Sequence, residues 1–127
     1  MSIIPEAIRE IQRKVFESTY EDTCFVYEYL PVKEAGTKIS RKEETLVHGD
    51  IPCKISFKNT NATGEGDGAA EQKTSVKLFL SPDIPIKAGS KIVVKHLGEE
   101  AAYKNSGTPG RYPSHQEIDL ELFERWA

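Results

Sequence analysis

The sequence predicts a mainly β fold: a small antiparallel β-barrel of about six strands, with an N-terminal α-helix and a long mobile inter-strand loop. Three observations carry this. Short segments in which apolar and polar residues alternate recur along the chain, each bounded by Gly, Pro, Asn or Asp. One segment alone, at the N-terminus, has helical spacing. With no second helical pattern to cross between parallel strands, antiparallel neighbours joined by turns are the arrangement that remains. A chain of 127 residues without an internal repeat fits a single domain. Its parts are a helix over 2–17, a barrel over 22–124 and a flexible loop over 59–74.

Ser2 to Glu17 carry Ile4, Ile8, Ile11 and Val15 on one helical stripe. Pro5 suits a first turn, where its missing N–H costs nothing, and Glu6 complements the positive helix end. Arg9, Arg13 and Lys14 take the other side. The stripe can dock on the domain itself or on a neighbouring subunit, and it satisfies one of these at a time. Thr23 to Val32 is a strand rich in aromatic and β-branched residues, and Pro31 places its end at a sheet edge. Lys33 to Lys42, with Gly36 and several basic residues, reads as a solvated loop. Glu44 to Phe57 holds one long strand or two short ones broken near Gly49-Asp50, and ends in I-P-C-K-I-S-F, where Ile51, Cys53, Ile55 and Phe57 alternate with their neighbours.

Asn59 to Thr74 has no periodicity and no large apolar side chain. Such a stretch cannot offset an ordering entropy of about 1–2 kcal/mol per residue. Long unstructured insertions in compact domains are functional or disordered, and the reading here is both: mobile in the free protein, ordered by a partner. The next strand, S-V-K-L-F-L, turns Val76, Leu78 and Leu80 one way, while Phe79 interrupts its polar face. The prolines of S-P-D-I-P-I-K-A-G-S make a turn. Lys91 to Leu97 follows as a strand with Ile92 and Val94 inward, then a short strand over Glu100 to Asn105. In the last strand, Gln116 to Glu124, Ile118, Leu120 and Leu122 oppose Glu117, Asp119 and Glu121.

Charged residues make up 29% of the chain and hydrophobic residues 38%, with a formal net charge of −3. This is a globular composition without the basic footprint of a phosphate binder. No apolar run approaches the roughly 20 residues that span a bilayer, so no membrane partner is expected. The start, M-S-I-I-P-E-A, lacks the features of a signal peptide, which points to the cytoplasm. Cys24 and Cys53, both in apolar strand contexts, are expected to be buried reduced thiols.

The search for chemistry is negative. Gly64, Gly66 and Gly68 suggest a phosphate loop, but no G-K-[ST] follows and Glu65 and Asp67 repel phosphate. Asn59, Asn61 and Thr63 imitate the start of a calcium loop whose last position is Ala70 where a Glu is required. His48, Asp50 and Cys53 lack the paired spacings of a zinc site. His48 reads as a turn residue, His96 as a satisfied core histidine, and His115 as pointing with the acidic outward face. No nucleophile has a supporting frame, so neither an enzyme nor a cofactor is expected. A barrel binding single-stranded nucleic acid is the alternative, with Tyr27, Tyr29 and nearby lysines as its stacking surface.

In the order of its motifs, the chain resembles the head-completion (head–tail connector, or head-closure) proteins of tailed phages. An aromatic first strand (Cys24 to Leu30) precedes I-P-C-K-I-S-F and a long insertion. L-F-L-S-P-D-I-P-I-K-A-G-S-K-I-V-V and S-G-T-P-G-R-Y-P-S-H-Q-E-I-D-L-E-L follow. The resemblance spans roughly Asp22 to Glu124, outside the N-terminal helix. It implies a virion or prophage protein, assembled in the bacterial cytoplasm and located at the head–tail junction. Its partners would be identical copies in a ring, the portal and adaptor on the head side, and a tail-completion protein. Packaged DNA would pass the channel without specific binding. By the same resemblance, Asn59 to Thr74 (Asn59, Asn61, Gly64, Glu65, Gly66, Asp67, Gly68, Glu71 and Thr74) would close the channel and contact neighbouring subunits. The absence of apolar anchors there favours a loose gate paired through backbone groups over a tight plug.

Overall fold

The computed structural model describes residues 5–33, 40–63 and 70–126. Their elements are α1 (Glu6–Glu17), β1 (Asp22–Lys33), β2 (Ser40–Thr63), β3 (Ala70–Leu80), β4 (Lys91–His96), β5 (Glu99–Asn105), β6 (Gly110–Arg111) and β7 (Gln116–Leu122). The strands pair in the order β3-β2-β1-β4-β5-β7, and β3 also pairs with β7, so six antiparallel strands close into a ring. The two-residue β6 adds to β7 beside it. This is the expected mainly β, antiparallel fold with its N-terminal helix.

Every second residue of the ring strands points inward. Cys24 and Val26, Ile51, Cys53 and Ile55, Leu78 and Leu80, Ile92 and Val94, and Ile118 and Leu120 form one continuous buried core. Each such side chain contributes about 1.5–3 kcal/mol over leaving it in water. Leu122 has the same parity, but it lies beyond the last β3–β7 pair, Val76↔Leu120, and is 71% exposed. Alternation in the sequence gives the parity of a residue and not where its sheet ends.

β2 has 24 residues, too many for the ring, and extends beyond it at both ends. At one end it pairs with β1 from Lys33↔Ser40 inward, and at the other with β3 up to Thr63↔Ala70. The two hairpin arms narrow two expected loops. Lys33 and residues 40–42 belong to a ladder, as do residues 59–63 and 70–74; residues 34–39 and 64–69 lie outside the described chain. Ladder bonds use the backbone, so a run of Asn, Thr, Ala and Gln can pair without apolar side chains. Pro31 behaves as expected: β4 accompanies β1 only from Thr23 to Tyr27, leaving Pro31 beside β2 alone.

The suspected break at Gly49-Asp50 is a bulge inside one strand. Cys24 faces Ile51, Val26 faces His48 and Tyr27 faces Leu46, so β2 carries extra residues there, and Asp50 takes φ 48°. An Asp tolerates this left-handed backbone better than most residues. His48 is therefore a strand residue, its Nε2 lying 3.1 Å from the Pro85 carbonyl oxygen.

The helix begins after Pro5, which holds the N-cap position with ψ 148°. It docks by its polar side. Arg13 donates to Ser81 Oγ (2.6 Å), pairs with Asp83 and reaches Glu17 Oε1 (3.3 Å). Phe16 lies flat on the His115 ring with centroids 4.0 Å apart, and within 6.0 Å of Phe79 and Tyr20. This explains Phe79, which breaks its strand's polar face to receive the helix. His115 shares the outward face with Glu117, to which it is bonded (3.2 Å), but that face is covered here, and the ring is stacked between Phe16 and Tyr112. The isoleucine stripe is left largely in solvent: Ile8, Ile11 and Val15 are 46%, 61% and 63% exposed. Ile4 lies outside the described residues.

Phe16→Ala should detach α1, with amide-exchange protection lost over 6–17 and kept in the ring strands. Ile11→Ser should change stability by no more than about 0.5 kcal/mol, as an exposed substitution does. Burial pushes the Tyr20 phenol up to about 12, so its neutral form stabilises the fold below pH 10 and that contribution is lost as pH rises through 12. Alkaline titration of Tyr20→Phe should accordingly show a smaller loss of stability over that window than the parent chain.

Candidate functional site

The candidate site is the end of the ring from which the β2–β3 arm leaves. The arm exists because β1 starts at Asp22, opposite Cys53, and β7 pairs with β3 only from Val76 onward. Beyond those points β2 and β3 have only each other among the described residues. Of the sequence-predicted gating residues, Asn59 and Thr74 face each other, and the Thr74 hydroxyl donates to Asn59 Oδ1 at 2.8 Å. Asn61 pairs with Gln72, and Glu71 with Ala62. Gly64, Glu65, Gly66, Asp67 and Gly68 lie outside the described residues. No Pro interrupts residues 58–63 or 70–75. The arm at the other end of β2 is defended: Pro31 lies on one strand and Arg41, Lys42, Glu43 and Glu44 on the other, the devices that keep sheet edges from pairing with strangers.

That first arm is also fastened. Trp126 stacks on Tyr29 (5.2 Å) and its indole N–H donates to Glu44 Oε1 (3.2 Å), which Lys91 also reaches at 2.7 Å. The Lys91 hydrogen bond, with help from Trp126, holds the Glu44 carboxyl below its ordinary pKa. Lys91 Nζ lies 5.6 Å from the Tyr27 ring centroid. Tyr27 and Tyr29, the aromatic pair of the nucleic-acid reading, thus meet partners from their own chain.

A buried carboxylate marks where β1 stops. Asp22 accepts the Ile55 N–H (2.9 Å) and lies 2.6 Å from His96 Nδ1, its side chain only 4% exposed. Ile55 is the first β2 residue past Cys53 whose N–H would have met a longer β1, so Asp22 replaces a strand bond with a side-chain bond and joins β1, β2 and β4. His96 is satisfied as expected, with Asp22 as its partner, but it is not a core histidine: its side chain is 36% exposed at the end of β4, where no further strand residue covers it. Cys24 and Cys53 are buried free thiols on the same face, and the neighbouring Cys24 thiol together with burial pushes the Cys53 thiol up. A thiol held protonated in this way is unreactive.

Around this end three large apolar side chains stand in solvent; Phe57 and Leu122 belong to the alternating apolar sets of their strands, and Leu97 belongs to none. Phe57 (50% exposed) and Leu122 (71%) continue the inward parity of β2 and β7, and Leu97 (84%) sits at the tip of the β4–β5 turn. Phe57 also lines an opening of about 80 Å³, together with Ile55, Val94, His96, Glu99, Ala101 and Tyr103. A larger groove of about 620 Å³ runs along α1, between Ile11, Val15 and Phe16 on the helix and Phe79 and Lys54 on the sheet. Among the described residues, no group of three or more His, Cys, Asp or Glu side chains could hold a metal ion.

Among solved structures, the chain is similar to the phage-like element PBSX protein xkdH from Bacillus subtilis. The match has 12% sequence identity and a TM-score of 0.51, and covers 82% of this chain and 96% of the other. It extends the likeness to the fold. No family model and no curated protein matches the chain.

Removing the Asp22 carboxylate tests the end of β1. Asp22→Ala leaves the Ile55 N–H without its acceptor in a buried position, and should cost about 2–3 kcal/mol in denaturant unfolding. Asp22→Asn, which can still accept that bond, should cost less.

Proposed function

We propose that this chain is a structural protein of a phage or prophage particle, a head–tail connector that forms a ring of identical copies, closes the DNA-filled head and joins it to the tail. The observation that carries this reading is the six-stranded closed sheet with a proline-free strand arm leaving one end. Two likenesses support it: the ordered motifs between Asp22 and Glu124, and the fold shared with the PBSX protein. On this reading the portal and adaptor meet one face of the ring and a tail-completion protein the other, with DNA passing through the channel.

The arm gives the ring a means of closing. Its two open edges belong to different strands, β2 on one side and β3 on the other. Pairing the β2 edge of one copy with the β3 edge of the next is a head-to-tail contact, and such contacts generate rings when the rotation closes. Backbone pairing needs no apolar anchor, which suits the composition of residues 59–74. A hairpin held this way can exchange partners, so the same residues serve as a gate when DNA must pass.

The test is electron microscopy of lysates from an induced host lacking this gene. Leaking or filled heads beside separate complete tails support a joining role; normally joined particles overturn it. A finer test uses strand parity. Because the Ile55 N–H points away from β3, so does that of Asn61. Asn61→Pro should therefore leave the monomer folded and block assembly on the head, whereas Ala62→Pro should damage the arm's own ladder and lower its exchange protection.

A further inference from the structure

We propose that the arm-bearing end of the ring is a self-complementary face through which two copies of the chain associate in solution, with Leu97 of each filling the opening of the other. The proposal does not rest on the head–tail reading. It begins from a residue in the wrong place by two criteria. Leu97 and Gly98 form the two-residue turn between β4 and β5, with φ 50° and 80°. That turn favours Asn or Gly at its first position, where a leucine strains the backbone. Leu97 gains nothing from its own fold in exchange, being 84% exposed. A strained, solvated leucine is an observed outlier of the kind that functional contacts retain.

The same face carries the matching hole. The opening of about 80 Å³ is lined by Ile55, Phe57, Val94, Ala101 and Tyr103 with His96 and Glu99, so its wall is apolar for the most part, and it has room for one aliphatic side chain. Phe57 and Leu122 extend the apolar surface around it. A knob and a hole on one face are what a two-fold contact requires, since each copy then both inserts and receives. The arm rises from β2 and β3, and the β4–β5 turn stands across the ring from them, because β1 separates β2 from β4 and β7 separates β3 from β5. Among the described open edges none offers a comparable knob: Arg41 to Glu44 are charged, and residues 70–75 (A-E-Q-K-T-S) are small or polar. The occupant that fits is the copy's own Leu97.

The test is sedimentation velocity on the full chain over a concentration series. The parent chain should show a concentration-dependent dimer. Leu97→Asn removes the knob while supplying the residue that the turn prefers, so it should raise Tm by about 2–5 °C and weaken dimerisation by roughly 100-fold or more, as expected for two lost apolar anchors. Ala101→Leu fills the hole from within its own chain and should weaken dimerisation likewise. Mixing the two variants should restore association, because one retains its hole and the other its knob. A parent chain that stays monomeric to high micromolar concentration overturns the proposal. So does a Leu97→Asn dimer of unchanged affinity, or a mixture that associates no better than either variant alone. Because Leu97→Asn should be more stable, a loss of dimer in it cannot be put down to misfolding.

Discussion

Closure of the sheet is the constraint on which the rest depends. Six strands can form a ring around one small core only if each contributes a short inward-facing stretch, and β1, β2 and β3 are longer than that. Their surplus cannot pair around the ring, so it leaves as two hairpin arms on the one strand they share. The bulge at Val47 to Asp50 lets β2 serve both the ring and the first arm without breaking. At the other end the Asp22 carboxylate takes over the bond that β1 would have made to Ile55, which fixes where the ring ends and the second arm begins.

The two arms share a geometry and differ in their chemistry. The first has a proline, a run of charges and a Trp126 clamp, so its edges are closed to other strands. The second has no proline and only scattered charges (Lys58, Glu71 and Lys73) and, among the described residues, nothing laid against its edges. A protein that only had to fold would gain from defending both. Leaving one open, next to exposed Phe57, Leu97 and Leu122, concentrates the means of association at one end of the molecule.

The helix shows the same division of labour. Its polar side holds it to the ring through Arg13, Ser81 and Asp83, and the stacked Phe16 and His115 supply the apolar part of the contact. The face with the regular isoleucine spacing is left in solvent. Of the two dockings the stripe allows, the one on its own domain is not made. Periodicity identifies a helix and the side on which its apolar residues gather. Which side the domain uses depends on what the neighbouring surface offers, here a phenylalanine, a histidine and an acidic turn.

The sequence by itself determined the alternation of inward and outward residues, the antiparallel class, the helix, the turn at Ser81 to Ser90 and the burial of Cys24 and Cys53. These follow from local periodicity and from Pro and Gly, which act within a few residues. It misjudged the length of the insertion, because ladder bonds through the backbone leave no mark in side-chain pattern. It put His115 on the outward face with Glu117 and Leu122 on the side of Ile118 and Leu120, but parity says which way a side chain points and not what lies there: a helix covers the first and nothing covers the second. Ring closure, the pairing of Asp22 with both Ile55 and His96, and the gathering of Phe57, Leu97 and Leu122 at one mouth were decided by tertiary structure alone. Each joins residues tens of positions apart, and only the closing of β3 onto β7 brings their strands into one ring.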